Sequence, residues 1–204
     1  MYQPPKYSKN DPEFIYNFIK SHPFATMISK GEDLIATHVP VLLEGSPSEF
    51  RLYSHIANHN RQLSTLGNQS EVLLIFQGAH AYVSSSWYKE KDISTWDYCA
   101  VHVNAKIKIQ TAEELEHSLK QLVKRFEEHQ ESPLYYEDIP SHIIEDHFPL
   151  ITGFWATPYK VEAIAKLHQG TGRDNIERTV SHLKRGNEQE QQVAAAITKE
   201  TRQE

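Results

Sequence analysis

The sequence predicts a mainly β, α+β fold in which a closed or nearly closed antiparallel barrel carries helices on its outside, and three observations point there. Five or six strand-like segments cluster between residues 24 and 110, and a late extended segment near 153–166 returns after a helix. Strands also do not alternate with helices in a βαβ rhythm, so a parallel dinucleotide-binding sheet is not expected. The glycines at 170 and 172 precede a helix but lack the strand-turn context of a G-x-G-x-x-G fingerprint.

Asp11-Pro12 followed by Phe14, Ile15, Phe18 and Ile19 combines an N-cap, a first-turn proline and a 3.6-residue apolar stripe, which predicts a helix over 11–21. Residues 24–29 and 34–43 read as paired strands around a Lys30-Gly31-Glu32-Asp33 turn, and 49–56 as a third strand. A polar, helix-like stretch from 58 to 66 separates this strand from a buried one at 72–77. There Gly78 is expected to end the run before a shorter strand at 80–84. Residues 98–110 alternate cleanly, with Val101, Val103, Ala105, Ile107 and Ile109 on one face and His102, Asn104, Lys106 and Lys108 on the other. Thr111 and Glu114 form a capping box for a helix over 112–129. A proline-bounded loop at 132–141, a helical turn at 141–148, the late strand, and helices at 173–184 and 188–199 follow, with fraying expected over 197–204.

At 204 residues the chain suits one main domain, 1–170, with a helical extension, 171–204. Its 39% hydrophobic and 24% charged content is that of a water-soluble protein, and its apolar runs are shorter than the ~18 residues of a membrane span. The N-terminal residues have no apolar stretch of the secretory type, so the expected location is cytoplasmic and no membrane partner is expected. Cys99 is the single cysteine, which excludes an internal disulfide and multi-cysteine metal sites. Its apolar neighbours Ala100 and Val101 predict a buried spectator thiol. A net charge of −6 argues against a domain that grips nucleic-acid phosphates, although Lys184 and Arg185 could form a small basic patch.

Residues 71–88, EVLLIFQGAHAYVSSSWY, carry the strongest functional signal. After the buried run, His80, Tyr82, Ser84, Ser86, Trp87 and Tyr88 bring together flat aromatic faces and hydrogen-bonding groups, a mixture that suits a planar ligand with a polar edge and an anionic tail. A strand followed by a tight aromatic turn is the plainer alternative. In Ile35-Ala-Thr-His-Val-Pro40, proline interrupts a strand and would leave Thr37 and His38 beside an opened ladder, available to a ring system or simply at an ordinary edge. The segment 53–62 ends a strand and opens a helix-like turn with Ser54, His55, Asn58, Asn60 and Arg61, groups suited to a phosphate or to a polar capped loop. Twelve histidines offer no ligand pair with metal-site spacing, and no metal is expected. No G-x-S-x-G is present, the paired carboxylates sit on solvated helix faces, and no catalytic residue is assigned.

Six motifs in order, MYQPPKY at 1–7, ATHVP at 36–40, SHIANHNRQ at 54–62, FQGAHAYVSSSWY at 76–88, STWDYCAVHV at 94–103 and AKLHQ at 165–169, resemble the PaiB-type, FMN-binding negative transcriptional regulators from residue 1 to about 196. The resemblance implies a split β-barrel of the FMN-binding type, related to pyridoxamine-phosphate oxidase-like proteins, and a homodimer with FMN at the interface. It would place Thr37 and His38 by the flavin ring, and Ser54, His55, Asn58, Asn60 and Arg61 by the phosphate and ribityl chain. Ser84, Ser86, Trp87, Tyr88, Lys166 and Gln169 would complete the site. The chain departs from the family pattern with Ser54 for glycine, Asn58 for a basic residue, Arg61 for proline and His168 for serine. Loss of the cation would remove a contact that typically stabilises by ~1.5–3 kcal/mol unless Arg61 or His59 supplies one.

The implied function is that of an FMN-binding regulator, without a convincing helix-turn-helix for direct DNA binding. The alternatives are an FMN-dependent oxidoreductase and, less favoured, a haem-handling protein with an axial histidine. Independently of the resemblance, Trp87, Tyr88 and Trp96 lie in short segments between strands, where an exposed apolar patch would call for a partner surface.

Overall fold

Alternation of apolar and polar residues builds seven strands, β1 (Phe24–Lys30), β2 (Leu34–Pro40), β3 (Leu42–Ser46), β4 (Glu49–Ala57), β5 (Glu71–Val83), β6 (Thr95–Ile109) and β7 (Ile151–Lys166). The computed structural model describes residues 1–90 and 92–202. The strands form one antiparallel sheet in the order β2-β1-β5-β6-β7-β4-β3. Five helices accompany them among the described residues: α1 (Pro12–Ser21), α2 (Ala112–Glu127), α3 (Ser141–His147), α4 (Arg173–Leu183) and α5 (Glu188–Glu200).

Several boundaries differ from the sequence expectation. Gly78 does not end a strand, because β5 runs unbroken through it. The buried side instead changes from even-numbered residues, up to Gly78, to odd-numbered ones from Ala81, as one extra residue in a strand would cause. Residues 34–43 are not one strand but two, divided at Pro40, whose missing N–H cannot continue the ladder. The polar stretch after β4 makes a short 3-10 turn, Arg61–Thr65, and another 3-10 turn, Tyr136–Asp138, sits in the proline-bounded loop. β6 starts earlier than expected, at Thr95. Helical structure also persists to Glu200, since Ile197 is fully buried, and residues 203 and 204 lie outside the described residues.

Helix ends follow local chemistry. The Asp11 side chain accepts from the amides of Glu13 at 3.1 Å and Phe14 at 3.3 Å, and the Thr111–Glu114 capping box closes with bonds of 3.2 and 3.0 Å. Leu115 of α2 and the Gln110 side chain approach β7 at Gly153, where an added Cβ would lie 2.7 Å from a Leu115 methyl and 2.2 Å from Gln110 Oε1. Glycine is required there by close approach rather than by backbone conformation.

The chain divides into two compact units. One comprises Tyr16–Phe76 and Val103–Val161; it contains β1 to β4, α2, α3 and portions of the other three strands. Its core includes Met27, Leu52, Leu74, Phe76, Ile107 and Phe154, all essentially without exposure. The sheet's two edge strands, β2 and β3, are separated in the chain by Val41 alone, so the sheet must curl until its edges meet. Val41 is buried and donates its N–H to Pro23 O at 2.7 Å. The barrel expected from the sequence is therefore split rather than closed: the ladder ends at Pro40, and Ser54 Oγ on β4 donates to Pro40 O at 2.6 Å in place of a backbone bond.

The other unit comprises Met1–Ile15, Gln77–His102 and Glu162–Glu204. In it the N-terminal segment pairs Ser8 with Ile164 of β7, and α4 and α5 bury Leu183, Val193 and Ile197.

Ser54→Ala is expected to leave the Pro40 carbonyl without its partner and to lower stability by ~1–3 kcal/mol. At this chain length that corresponds to about 2–4 °C in Tm for each kcal/mol. Calorimetric unfolding of the variant checks it, and an unchanged Tm would show that the split edge needs no tie.

Candidate functional site

The first group of predicted residues gathers where β2 faces the turn after β4. Asn60 Nδ2 donates to Thr37 Oγ1 at 3.1 Å, while Asn60 Oδ1 accepts the Gln62 amide at 2.9 Å and so caps the 3-10 turn itself. Gln62, with no exposure, anchors this arrangement by donating from Nε2 to Met27 O, Ser29 Oγ and Ile35 O at 3.1, 2.9 and 3.2 Å. The turn thereby locks onto β1 and β2, and Thr37 keeps its own hydroxyl proton for an outside acceptor. His38 is exposed and stacks on Phe24, with centroids 5.8 Å apart. Arg61 is exposed; its carbonyl accepts from Ser64 Oγ at 2.8 Å, and its guanidinium makes no hydrogen bond or ion pair among the described residues.

Other members of this group are committed within the chain. Ser54 is buried and bound to Pro40. Asn58 donates to Pro149 O at 2.8 Å and accepts from Thr152 Oγ1 at 2.6 Å, which makes it a clamp between β4 and β7. His55 is half-buried, and loss of solvent holds its imidazole below its usual range.

The second group lies in the unit built from the chain's beginning and end. Ser84 and Ser86 bond through their hydroxyls at 2.7 Å, and Trp87 stacks almost parallel on His182 of α4, 4.8 Å centroid to centroid. Tyr88 Oη lies 2.8 Å from His168 Nε2, and His168 Nδ1 hydrogen-bonds Asp97. Burial, then the charges of Asp97 and Asp92, push the Tyr88 hydroxyl above the usual tyrosine range. Lys166 donates to the Thr95 hydroxyl and, at 2.6 Å, to Trp96 O. Gln169 is buried and engaged with Ala165 O at 2.7 Å, Glu200 at 3.1 Å and the Leu167 amide at 2.8 Å, so it pins the end of β7.

Thr37, His38, Ser54, His55, Asn58, Asn60 and Arg61 thus share one unit, and Ser84, Ser86, Trp87, Tyr88, Lys166 and Gln169 the other. Asp97 and His168 were not among the expected site residues. A signal existed for each: Asp97 occupies an inward, odd-numbered position of β6, where an apolar residue is the rule, and His168 breaks the family pattern. His168 also adopts φ +65°, a conformation that strains a residue with a Cβ by roughly 1–2 kcal/mol. The fold therefore holds this imidazole in place against a local cost.

Of the three aromatics expected to need a partner, Trp87 and Tyr88 find cover or a bond within the chain. Trp96 remains 54% exposed beside Tyr82 and His80, at centroid distances of 6.1 and 5.9 Å. A separate apolar cavity of about 530 Å³ lies among Leu119, Val123, Tyr136, Ile143, Phe148 and Ile151 and shares Asn58 with the predicted residues. The Cys99 thiol is buried and its pKa is pushed up to about 12, mainly by that burial, so it stays unreactive. No helix among the described residues is long and apolar enough to cross a membrane, and no cluster of three or more metal-ligating side chains occurs among them.

A phosphorylated flavin asks for a cation and donors at its phosphate and for polar groups along its ring edge. The available donors of the first group, the Arg61 guanidinium, the Thr37 hydroxyl and the His38 imidazole, have that chemistry. A family model described as "Putative FMN-binding domain" matches residues 1–157. The chain is 29% identical over 184 residues to protease synthase and sporulation protein PAI 2 of Bacillus subtilis, covering 90% of this chain and 89% of that one. Among solved structures, an FAD- and haem-binding protein of Mycobacterium smegmatis has TM-score 0.58 at 10% identity, covering 84% of this chain and 79% of the other. A flavocytochrome of Azotobacter vinelandii has TM-score 0.56 at 13% identity, with 78% and 69% covered. These structural likenesses establish the fold, that of the flavin-binding split barrels.

The protein without ligand should lose stability as pH falls from 6.5 through the lowered value of His55, because the unfolded chain takes up the proton that the folded imidazole resists. Thermal unfolding between pH 8 and 5 checks this, and His55→Gln should flatten the acid side of the curve.

Proposed function

We propose, from the premise that the chain belongs to the FMN-binding domain family and has FMN as its cofactor, that Arg61 holds the phosphate while Thr37 and His38 meet the ring edge. The observation that carries this is the Arg61 guanidinium, exposed and without a partner among the described residues, on the turn that Asn60 bonds to Thr37. Arg61 then supplies the cation absent at Asn58, whose amide is occupied by Pro149 and Thr152. His55 and His59 flank the same turn. Once bound, FMN supplies hydride and single-electron chemistry, and the protein contributes binding, orientation and access.

The working form is a homodimer. Trp96, Tyr82 and Ile93, exposed by 54, 47 and 84%, give one unit an aromatic and apolar surface that a second copy would cover. The protein works in the cytoplasm as a regulator of the kind the motif resemblance implies, with flavin occupancy as its input. The net charge of −6 supports action through a partner more than a direct grip on DNA.

A second reading, a flavin-dependent oxidoreductase, is favoured by the buried Asp97–His168 pair bonded to Tyr88, since ionisable groups arranged in series are the equipment of proton transfer. An absorbance spectrum of the purified protein separates the possibilities: flavin bands support both readings, whereas a Soret band alone would point to haem.

FMN should bind more tightly than riboflavin, as read by quenching of flavin fluorescence. Arg61→Ala should weaken FMN by roughly ten- to a hundredfold, corresponding to a charge-assisted bond of ~1.5–3 kcal/mol, and leave riboflavin binding and the Tm of the ligand-free protein unchanged. Equal affinity for the two flavins would remove the phosphate from this turn. Light scattering at low micromolar concentration should give about twice 23.6 kDa, falling to a single chain in Trp96→Asp. A wild-type mass of one chain would defeat the dimer.

A further inference from the structure

A cavity of about 230 Å³ lies within the unit that holds β1 to β4, between the end of α1, the start of β3 and α2. Tyr16 and Lys20 are four apart on α1, and Gln121 and Arg125 four apart on α2, so each pair shares one helix face toward it. The Arg125 guanidinium donates weakly to the Lys20 carbonyl, at 3.5 Å, and links the two helices. In the β3–β4 ladder Leu42 stands opposite Tyr53, and both line the cavity together with Val41 and Leu43.

The polar groups of this cavity are donors. Tyr53 is only 7% exposed and packs edge-on against Trp155, yet its hydroxyl makes no hydrogen bond among the described residues. Burial, then the charge of Glu44, push that hydroxyl up to about 12, so it keeps its proton, while Glu44 itself pairs with Arg51 at 2.8 Å. The Lys20 and Gln121 side chains also lack partners among the described residues, and the ion pair of Arg125 to Glu128 is long, 3.7 Å. Tyr16 donates its hydroxyl to Gly45 O at 3.1 Å, which leaves its ring to line the site. No acidic side chain among the described residues lines it. A desolvated phenol without an acceptor is unfavourable, and here an outside group can supply one.

We propose that this cavity binds a small aromatic carboxylate, whose ring packs on Val41, Leu42 and Leu43 and whose carboxylate accepts from Tyr53, Arg125 and Lys20. Size sets the class. An apolar cavity of about 150 Å³ takes a benzene ring, so about 230 Å³ takes one ring bearing a carboxylate and is too small for a nucleotide or a flavin. Charge sets the head group, because two cations, a protonated phenol and an amide favour an anion and disfavour an amine. The strand residues set the body: inorganic phosphate would leave Val41, Leu42 and Leu43 against water. Val41 is also the buried residue that joins the two edge strands, so a ligand packed on it braces the split edge that carries Thr37 and His38. The site uses none of the residues assigned to the flavin and does not rest on that reading.

Sodium benzoate is the probe, with benzamide as its uncharged counterpart and inorganic phosphate as an anion without a ring. In the full chain, methyl nuclear magnetic resonance should show benzoate shifting the Val41, Leu42 and Leu43 resonances saturably. The expected Kd is about 1 mM or below, the range open to a ligand of about ten heavy atoms. Benzamide and phosphate should each bind at least tenfold more weakly. Tyr53→Phe keeps the ring and its packing on Trp155. This variant and Arg125→Gln should each weaken benzoate by about tenfold or more, as loss of a hydrogen bond to a charged group does, without lowering the Tm of the ligand-free protein. Saturating FMN should leave the benzoate Kd unchanged. The absence of saturable shifts at these methyl groups, equal binding of phosphate, or full affinity retained in both variants overturns the site. Competition with FMN overturns it too, by giving these residues to the flavin, whereas failure of the chain to bind FMN defeats the flavin reading and leaves this site standing.

Discussion

A single residue, Val41, joins the two strands that end the seven-stranded sheet, and this connection governs the rest of the molecule. Strands at opposite edges can be chain neighbours only if the sheet curls on itself, and Pro40 then forbids the ladder that would close it. The gap is bridged by a serine hydroxyl instead, 2.6 Å from the Pro40 carbonyl. An edge left unpaired in this manner invites association or a ligand. Here it carries Thr37 and His38, the residues the flavin reading uses.

Buried polar groups position the candidate residues within each unit. Gln62 ties the turn after β4 to β1 and β2 through three acceptors, which places Asn60 against Thr37 and leaves Arg61 facing water. Asp97 does the equivalent in the other unit by fixing His168, which in turn meets Tyr88. In each case a fully or nearly buried side chain sets the direction of an accessible one, because a desolvated hydrogen bond is costly to break and leaves few alternative geometries.

The departures from the family pattern acquire a physical sense in this arrangement. Asn58 replaces a basic residue and clamps β4 to β7, while Arg61, three positions on, carries the charge that the flavin reading uses. His168 replaces serine and is the residue through which Asp97 reaches Tyr88. The first change relocates a cation within the same turn, and the second adds an ionisable group to a strained backbone position. A chain in the FMN-binding family can therefore share the fold and the cofactor while differing in what happens beside it.

The sequence by itself determined the strands, through their period-two alternation, and two of the helices, α1 and α2, through capping residues and apolar spacing. The motif order carried the family, and with it the flavin. Tertiary structure decided what spacing along a chain cannot express: that Gly78 continues a strand, that Ser54, Asn58 and Gln169 are engaged in holding the fold, and that Asp97 and His168, 71 residues apart, are in contact. Local periodicity reports which face of an element is buried. Which donor meets which acceptor depends on strand register and sheet curvature, which arise only when distant segments pack, and so the partners of the site residues became legible only in three dimensions.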